Sequence, residues 1–168
     1  QQLALYEALS EAGKEFNLKP FGMRAMMSLR LEKSFGSWLR EFKPDYTPQE
    51  TGLSRFVAYN KPVDFIGKEA ALAEKAQGAK RKLTTFIVDT DDADVHADEP
   101  IWHNGKIVGS VTSGGYAHWA QKSVAIGFLP PELIQAGTQV EIELLGKKRP
   151  ATVITEALFD PQLTYLRS

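Results

Sequence analysis

Residues 102–113 read WHNGKIVGSVTS, and the pair Asn104-Gly105 inside that stretch decides the fold of the second half of the chain. The hairpin turn that best matches strand twist needs positive φ at both central residues, and Asn followed by Gly reaches it at least cost. The flanks are rich in apolar, aromatic and β-branched residues, so two antiparallel strands meet at this turn. Outward from it, the stretches LTTFIVD at 83–89, SVAIGFL at 123–129, TQVEIELL at 138–145 and ATVITEAL at 151–158 carry the same signature. Val140, Ile142 and Leu144 alternate with polar neighbours, as on a half-buried strand. Five or six strands joined by short turns predict a small antiparallel β-barrel.

Before Lys82 the period becomes helical. Leu5, Leu9, Ala12 and Phe16 recur at steps of three and four, which predicts an amphipathic helix over 3–16, packed on one side and ended by Gly13 and Asn17. Met23, Met26, Met27 and Leu31 predict a second helix over 22–32 that stops near Ser34 and Gly36, with the methionines as core filler. Thr47-Pro48-Gln49-Glu50 has the form of a capping box, with a threonine cap, proline at the first helical position and a carboxylate three residues on, opening a short turn closed by Gly52. A third helix is expected over 67–77, with Asp64 as its cap candidate and Gly78 as its stop. The chain therefore divides into a mixed part, 1–80, and a β part, 81–168, with no Pro/Ser-rich linker between them. The fold class expected is α+β.

Composition narrows the function classes. The 168 residues carry 20 basic and 21 acidic side chains, a net charge of −1, so nothing suggests a nucleic-acid or anionic-lipid footprint. No cysteine is present, which excludes disulfides and thiolate chemistry and fits a reducing cytoplasm. No apolar run approaches the roughly 20 residues of a membrane span. The chain starts within a helical pattern and without Met, and reads as a piece of something longer. The acidic run Asp89, Asp91, Asp92, Asp94, Asp98 and Glu99 offers no register with both the glycine and the glutamate of a calcium loop, so it is expected to be a solvated loop. His96, His103 and His118 lack metal-ligand spacing. Ser113-Gly114-Gly115 sits among strands, where its glycines suit a bulge or positive φ better than a phosphate loop. No catalytic residue and no metal ligand is assigned.

Glu32 is the residue the pattern does not explain. It falls in the last turn of the second helix, where the helix dipole disfavours a carboxylate by about 0.3–1 kcal/mol. Phe35, Trp38, Phe42 and Tyr46 follow closely. Core packing accounts for these rings on pattern alone; a flat heteroaromatic ligand, stacked on an aromatic face with the carboxylate reading its edge, accounts for the rings and the glutamate together.

GMRAMMSLRLEKSF at 22–35, DYTPQETGL at 45–53, DFIGKEAAL at 64–72, VGSVTSGGYAHWAQKSVAIGFLP at 108–130 and GKKRPATVITEALFDPQLTYLR at 146–167 resemble the folate-binding aminomethyltransferase family, the T-protein of the glycine cleavage system and its relatives. The wording is most similar to the folate-binding end of FAD-dependent dimethylglycine and sarcosine dehydrogenases. The resemblance implies the C-terminal part of a T-protein-like folate-binding domain followed by the barrel. It implies that Glu32 of SLRLE accepts hydrogen bonds from the pterin of tetrahydrofolate, whose amino-pyrimidine edge offers adjacent N–H donors. It places Lys61, where the T-protein has arginine, toward the folate tail, and Trp38, where the T-protein has tyrosine, at the pocket wall. Pro48 and Glu50 match the family's TPxE turn. FAD and the flavin domain that carries it would lie upstream in the intact protein, and this piece alone would be inactive. Two alternatives stand beside this: a stand-alone folate-dependent aminomethyltransferase or demethylase, and a non-catalytic interaction module with a decayed folate site.

Overall fold

The computed structural model describes residues 1–167. Helix α1 (Gln2–Ala12) leads through a short 3₁₀ turn to α2 (Met23–Glu32); an irregular stretch follows, then α3 (Lys68–Gln77). Six strands complete the architecture: β1 (Lys82–Val88), β2 (Pro100–His103), β3 (Lys106–Ala117), β4 (Lys122–Leu129), β5 (Gln139–Leu144) and β6 (Lys147–Ile154), before a last helical turn, α4 (Thr164–Arg167). The strands close into a barrel in the order β1-β4-β3-β2-β5-β6, all neighbours antiparallel. Closure leaves no strand edge unpaired.

The hairpin expected at Asn104-Gly105 forms, with φ of 50° and 75° at the two residues. Its strands carry a bulge, since Ile101 pairs with Gly109 while Trp102 pairs with Ile107. Gly109 is required there, because a Cβ would stand 2.0 Å from the Phe128 carbonyl oxygen. Gly114 serves a similar close approach, now to Val95.

Alternation sorts the strand residues between two apolar clusters. Phe86, Val88, Ile101, Val111, Ala125, Leu129, Val140, Ile142, Leu144, Ala151 and Val153 fill the barrel, with Val95 joining them from the acidic loop. The complementary positions Ala117, Val124 and Ile126 pack with Leu31 of α2, supported by Leu83, Ala120 and Leu158. β4 is therefore buried along nearly its whole length. Its near-unbroken apolar run SVAIGFL is what a strand covered on both faces requires.

Two expectations for the helical part need correction. The first helix forms but packs on nothing among the described residues: Leu5, Leu9 and Phe16 are exposed, and α1 buries no residue. Met23, Met26 and Met27 are likewise exposed rather than core, leaving Leu31 and Glu32 as the buried residues of α2. Periodicity reports that a face is apolar and is silent on what covers it. Asp64 does not cap α3; Gly67 takes that place, and Asp64 pairs with Lys68 at 3.1 Å. The 47–50 box does form, with Thr47 N–H donating to Glu50 Oε2 (3.0 Å) and Glu50 N–H to Thr47 Oγ1 (3.1 Å). It fastens the irregular stretch to the barrel, since Arg81 donates to Glu50 Oε1 (2.9 Å) and Leu83 N–H donates to the Glu50 carbonyl. No helix among the described residues is long and apolar enough to cross a membrane.

Candidate functional site

Leu31 anchors the last turn of α2 on the outside of β3 and β4, and the adjacent Glu32 is thereby carried under the turn that joins those two strands. Glu32 is only 2% exposed, and its Oε1 accepts the backbone N–H of Trp119 at 2.8 Å. Among the described residues it makes no ion pair. The stretch after β6 returns to the same place: Phe159 N–H donates to the Glu32 carbonyl at 3.0 Å, and Lys33 Nζ donates to the Asp160 carbonyl at 2.6 Å and meets its carboxylate at 3.4 Å. The first link satisfies a carbonyl at the end of α2, where backbone carbonyls lack helical partners, and the second ties Lys33 to the same returning stretch. Burial works to raise the Asp160 pKa, but hydrogen bonds from Thr164 and the nearby Lys33 ammonium outweigh it and hold the carboxyl below its ordinary value.

A cavity of about 380 Å³ opens between these pieces, lined by Leu29, Glu32, Lys33, Phe35, Trp119, Phe159, Asp160 and Tyr165. Its aromatic wall is built in order: Trp119 meets Phe159 edge to face with centroids 4.9 Å apart, and Phe159 stacks on Tyr165 at 5.8 Å. Lys33 Nζ stands 5.9 Å from the Phe35 ring and 5.7 Å from the Phe159 ring. A pocket of this size, mostly ring faces with a buried carboxylate, Glu32, beside the Lys33–Asp160 pair, suits a flat ligand with a hydrogen-bond-donating edge.

A second buried carboxylate holds this arrangement in place. Glu41 is fully buried; its Oε1 accepts from Thr112 (2.6 Å) and Ser113 (2.5 Å), and its Oε2 from Ser37 N–H (2.7 Å) and Arg30 (3.2 Å). Arg30 also donates to Ser113 Oγ (2.7 Å) and to the Phe35 carbonyl (3.2 Å). Burial pushes the Glu41 pKa up, yet the hydrogen bonds from Ser113, Thr112 and Ser37, with the Arg30 charge, bring it below the ordinary value. The network clamps α2 to β3 one turn away from Glu32.

Of the three positions singled out in the sequence, the structure brings only Glu32 to the cavity. Trp38 is 82% exposed, edge to face with Phe42, and Lys61 is exposed with its ammonium 5.9 Å from the Phe65 ring; neither lines the cavity. Tyr46 stacks on Phe128 at 4.1 Å, on the barrel's outer surface, as a packing residue. Sequence reasoning missed Trp119, Phe159 and Tyr165, which lie 87, 127 and 133 positions beyond Glu32. The one available signal was a tryptophan in the turn between two strong strands, where packing gives no reason for it.

Comparisons with known proteins match both parts of the chain. Residues 1–61 match the model of the GCVT N-terminal domain, and residues 81–160 that of the glycine cleavage T-protein C-terminal barrel domain. Human mitochondrial dimethylglycine dehydrogenase is 49% identical over 93% of this chain. An aminomethyltransferase of a Geobacillus strain is 33% identical over 94%. The chain spans 18% of the human protein's length and 43% of the bacterial one's. The crystal structure of glycine cleavage system aminomethyltransferase T from Bartonella henselae superposes with a TM-score of 0.83 at 28% identity, covering 94% of this chain and 45% of that one. Two successive family models, curated relatives of both kinds and a shared fold lead to one statement: the chain belongs to the glycine cleavage T-protein family.

Proposed function

We propose that this chain is the tetrahydrofolate-binding C-terminal part of an FAD-dependent oxidoreductase of the dimethylglycine and sarcosine dehydrogenase kind, residues 1–80 completing a folate-binding domain and residues 81–168 forming its barrel. The observation that carries the reading is Glu32, a buried carboxylate without a cationic partner among the described residues, facing an aromatic-walled cavity. Tetrahydrofolate, when bound, supplies the nitrogens that take up a one-carbon unit from an oxidised methylamine. The chain's own residues bind and orient. Glu32 accepts the donors of the pterin edge, an interaction worth about 1.5–3 kcal/mol when charge-assisted and shielded from water. Trp119 N–H holds the Glu32 carboxylate in the required direction, and the surrounding rings offer faces against which the pterin packs. Lys61, outside the cavity, is left for a more distal part of the ligand, Trp38 is given no part in binding, and Glu32 alone of the three carries the proposal. The identity of 49% to a dehydrogenase against 33% to an aminomethyltransferase favours the flavin-linked form over a stand-alone transferase. The amine oxidation itself belongs to the upstream flavin domain, so this part alone is proposed to be inactive. The working compartment proposed is the cytoplasm; the word mitochondrial belongs to the names of the mammalian relatives.

The test is a calorimetric titration of tetrahydrofolate into the full-length protein and its Glu32→Gln variant. The expected result is saturable binding, weakened on the order of tenfold or more by the substitution, with flavin reduction by the amine unchanged. Absence of binding to the folded wild-type protein would overturn the reading in favour of an interaction module.

A further inference from the structure

The cavity has two carboxylates, of which Asp160 is paired with Lys33 and Glu32 makes no ion pair among the described residues, and several ring faces that are not equivalent. Phe159 is engaged three times, by the edge-to-face contact with Trp119, by stacking on Tyr165 and by the Lys33 ammonium 5.7 Å from its centroid. Trp119 differs: it is 65% exposed while lining the cavity, so much of its indole surface is open. Its position is also the most tightly referenced to Glu32, because its own backbone N–H donates to the carboxylate at 2.8 Å. A ring placed against Trp119 is therefore placed in a fixed relation to the acceptor oxygens of Glu32. The scaffold behind it is rigid, as Ala117 is fully buried in the cluster around Leu31 and the turn is pinned between the paired ends of β3 and β4.

We infer that Trp119 is the stacking platform of the site, holding the face of the bound heteroaromatic ring whose edge Glu32 reads. The inference rests on the folate reading and deepens it by assigning ring-face recognition to the β3–β4 turn. Trp38, the tryptophan adjacent to Glu32 in sequence, takes no part in it. One residue thus contributes twice, its main chain orienting the acceptor and its side chain covering the ring. Exposed aromatic platforms of this kind bind bases through their π-faces.

The experiment uses the full-length protein with tetrahydrofolate as probe, followed by calorimetry and by tryptophan fluorescence, with circular dichroism of each variant to establish folding. Trp119→Leu should weaken binding on the order of tenfold, since the loss of a base-stacking aromatic typically costs that much. Trp119→Phe should retain most of the affinity, because a ring face remains, while losing the ligand-dependent quenching of the wild-type protein. Trp38→Phe should keep both affinity and quenching. If Trp119→Leu binds like wild type while Glu32→Gln is weakened, the platform is elsewhere and this inference fails with the folate reading intact. If the folded wild-type protein does not bind, both fail.

Discussion

At the scale of single residues, Glu32 and Glu41, two of the three buried glutamates among the described residues, separate binding from stability. Glu41 has its oxygens taken up by Thr112, Ser113, Ser37 and Arg30. Glu41→Ala leaves Arg30 without its partner inside the fold, and a loss of about 3–5 kcal/mol is expected in chemical denaturation. The pH dependence follows from the lowered pKa. Ionised Glu41 stabilises the fold fully above the unfolded-chain value of about 4.3, and that contribution fades as pH falls through the lower folded-state value. Between the two the unfolded chain binds more protons, so wild-type stability should climb with pH there. In Glu41→Gln that limb should be shallower, as denaturation curves at successive pH values will read. Glu32 was legible in the sequence because it contradicts its own helix position. Glu41 was not, since its four partners come from two segments that only the tertiary fold brings together.

At the scale of elements, the barrel was readable because its signals are local and agree with one another. Asn104-Gly105 set one hairpin, Val140, Ile142 and Leu144 set a face, and the apolar run of β4 announced burial on both sides. The bulge opposite Ile101 and the close passage of β3 over β4 were not readable, because a glycine in a strand does not say which backbone approaches it. Gly109 now has that reason, and Gly109→Ala sets a Cβ 2.0 Å from the Phe128 carbonyl, where backbone cannot give way cheaply. A destabilisation of at least about 1–3 kcal/mol is expected from such overpacking, measurable as a fall in thermal midpoint. The methionines of α2 went the other way. Their spacing was read correctly as helical, but their burial depends on surfaces beyond the helix, and here they face outward.

At the scale of the whole molecule, cohesion is uneven. The barrel has its own apolar core and the end of α2 packs in a second cluster on the outside of β3 and β4, whereas α1 buries nothing among the described residues. Hydrogen exchange of this 168-residue chain should show slow amides along β1, β3 and β4 and nearly unprotected amides in α1, because local stability follows buried contacts. Equal protection in both regions would mean that α1 finds a covering surface in solution. The wall of the cavity has a different history from the barrel that supports it. Phe159 and Tyr165 come after β6 yet lie against the end of α2, so the ribosome delivers them after every strand has been made. A chain cut behind β6 would possess a closable barrel, but would lose Phe159, Tyr165 and the bonds that the 159–160 stretch makes to the end of α2. On the folate reading, ligand capture therefore depends on a segment that the barrel does not need for its own closure, and is lost on cutting behind β6 however well the barrel forms.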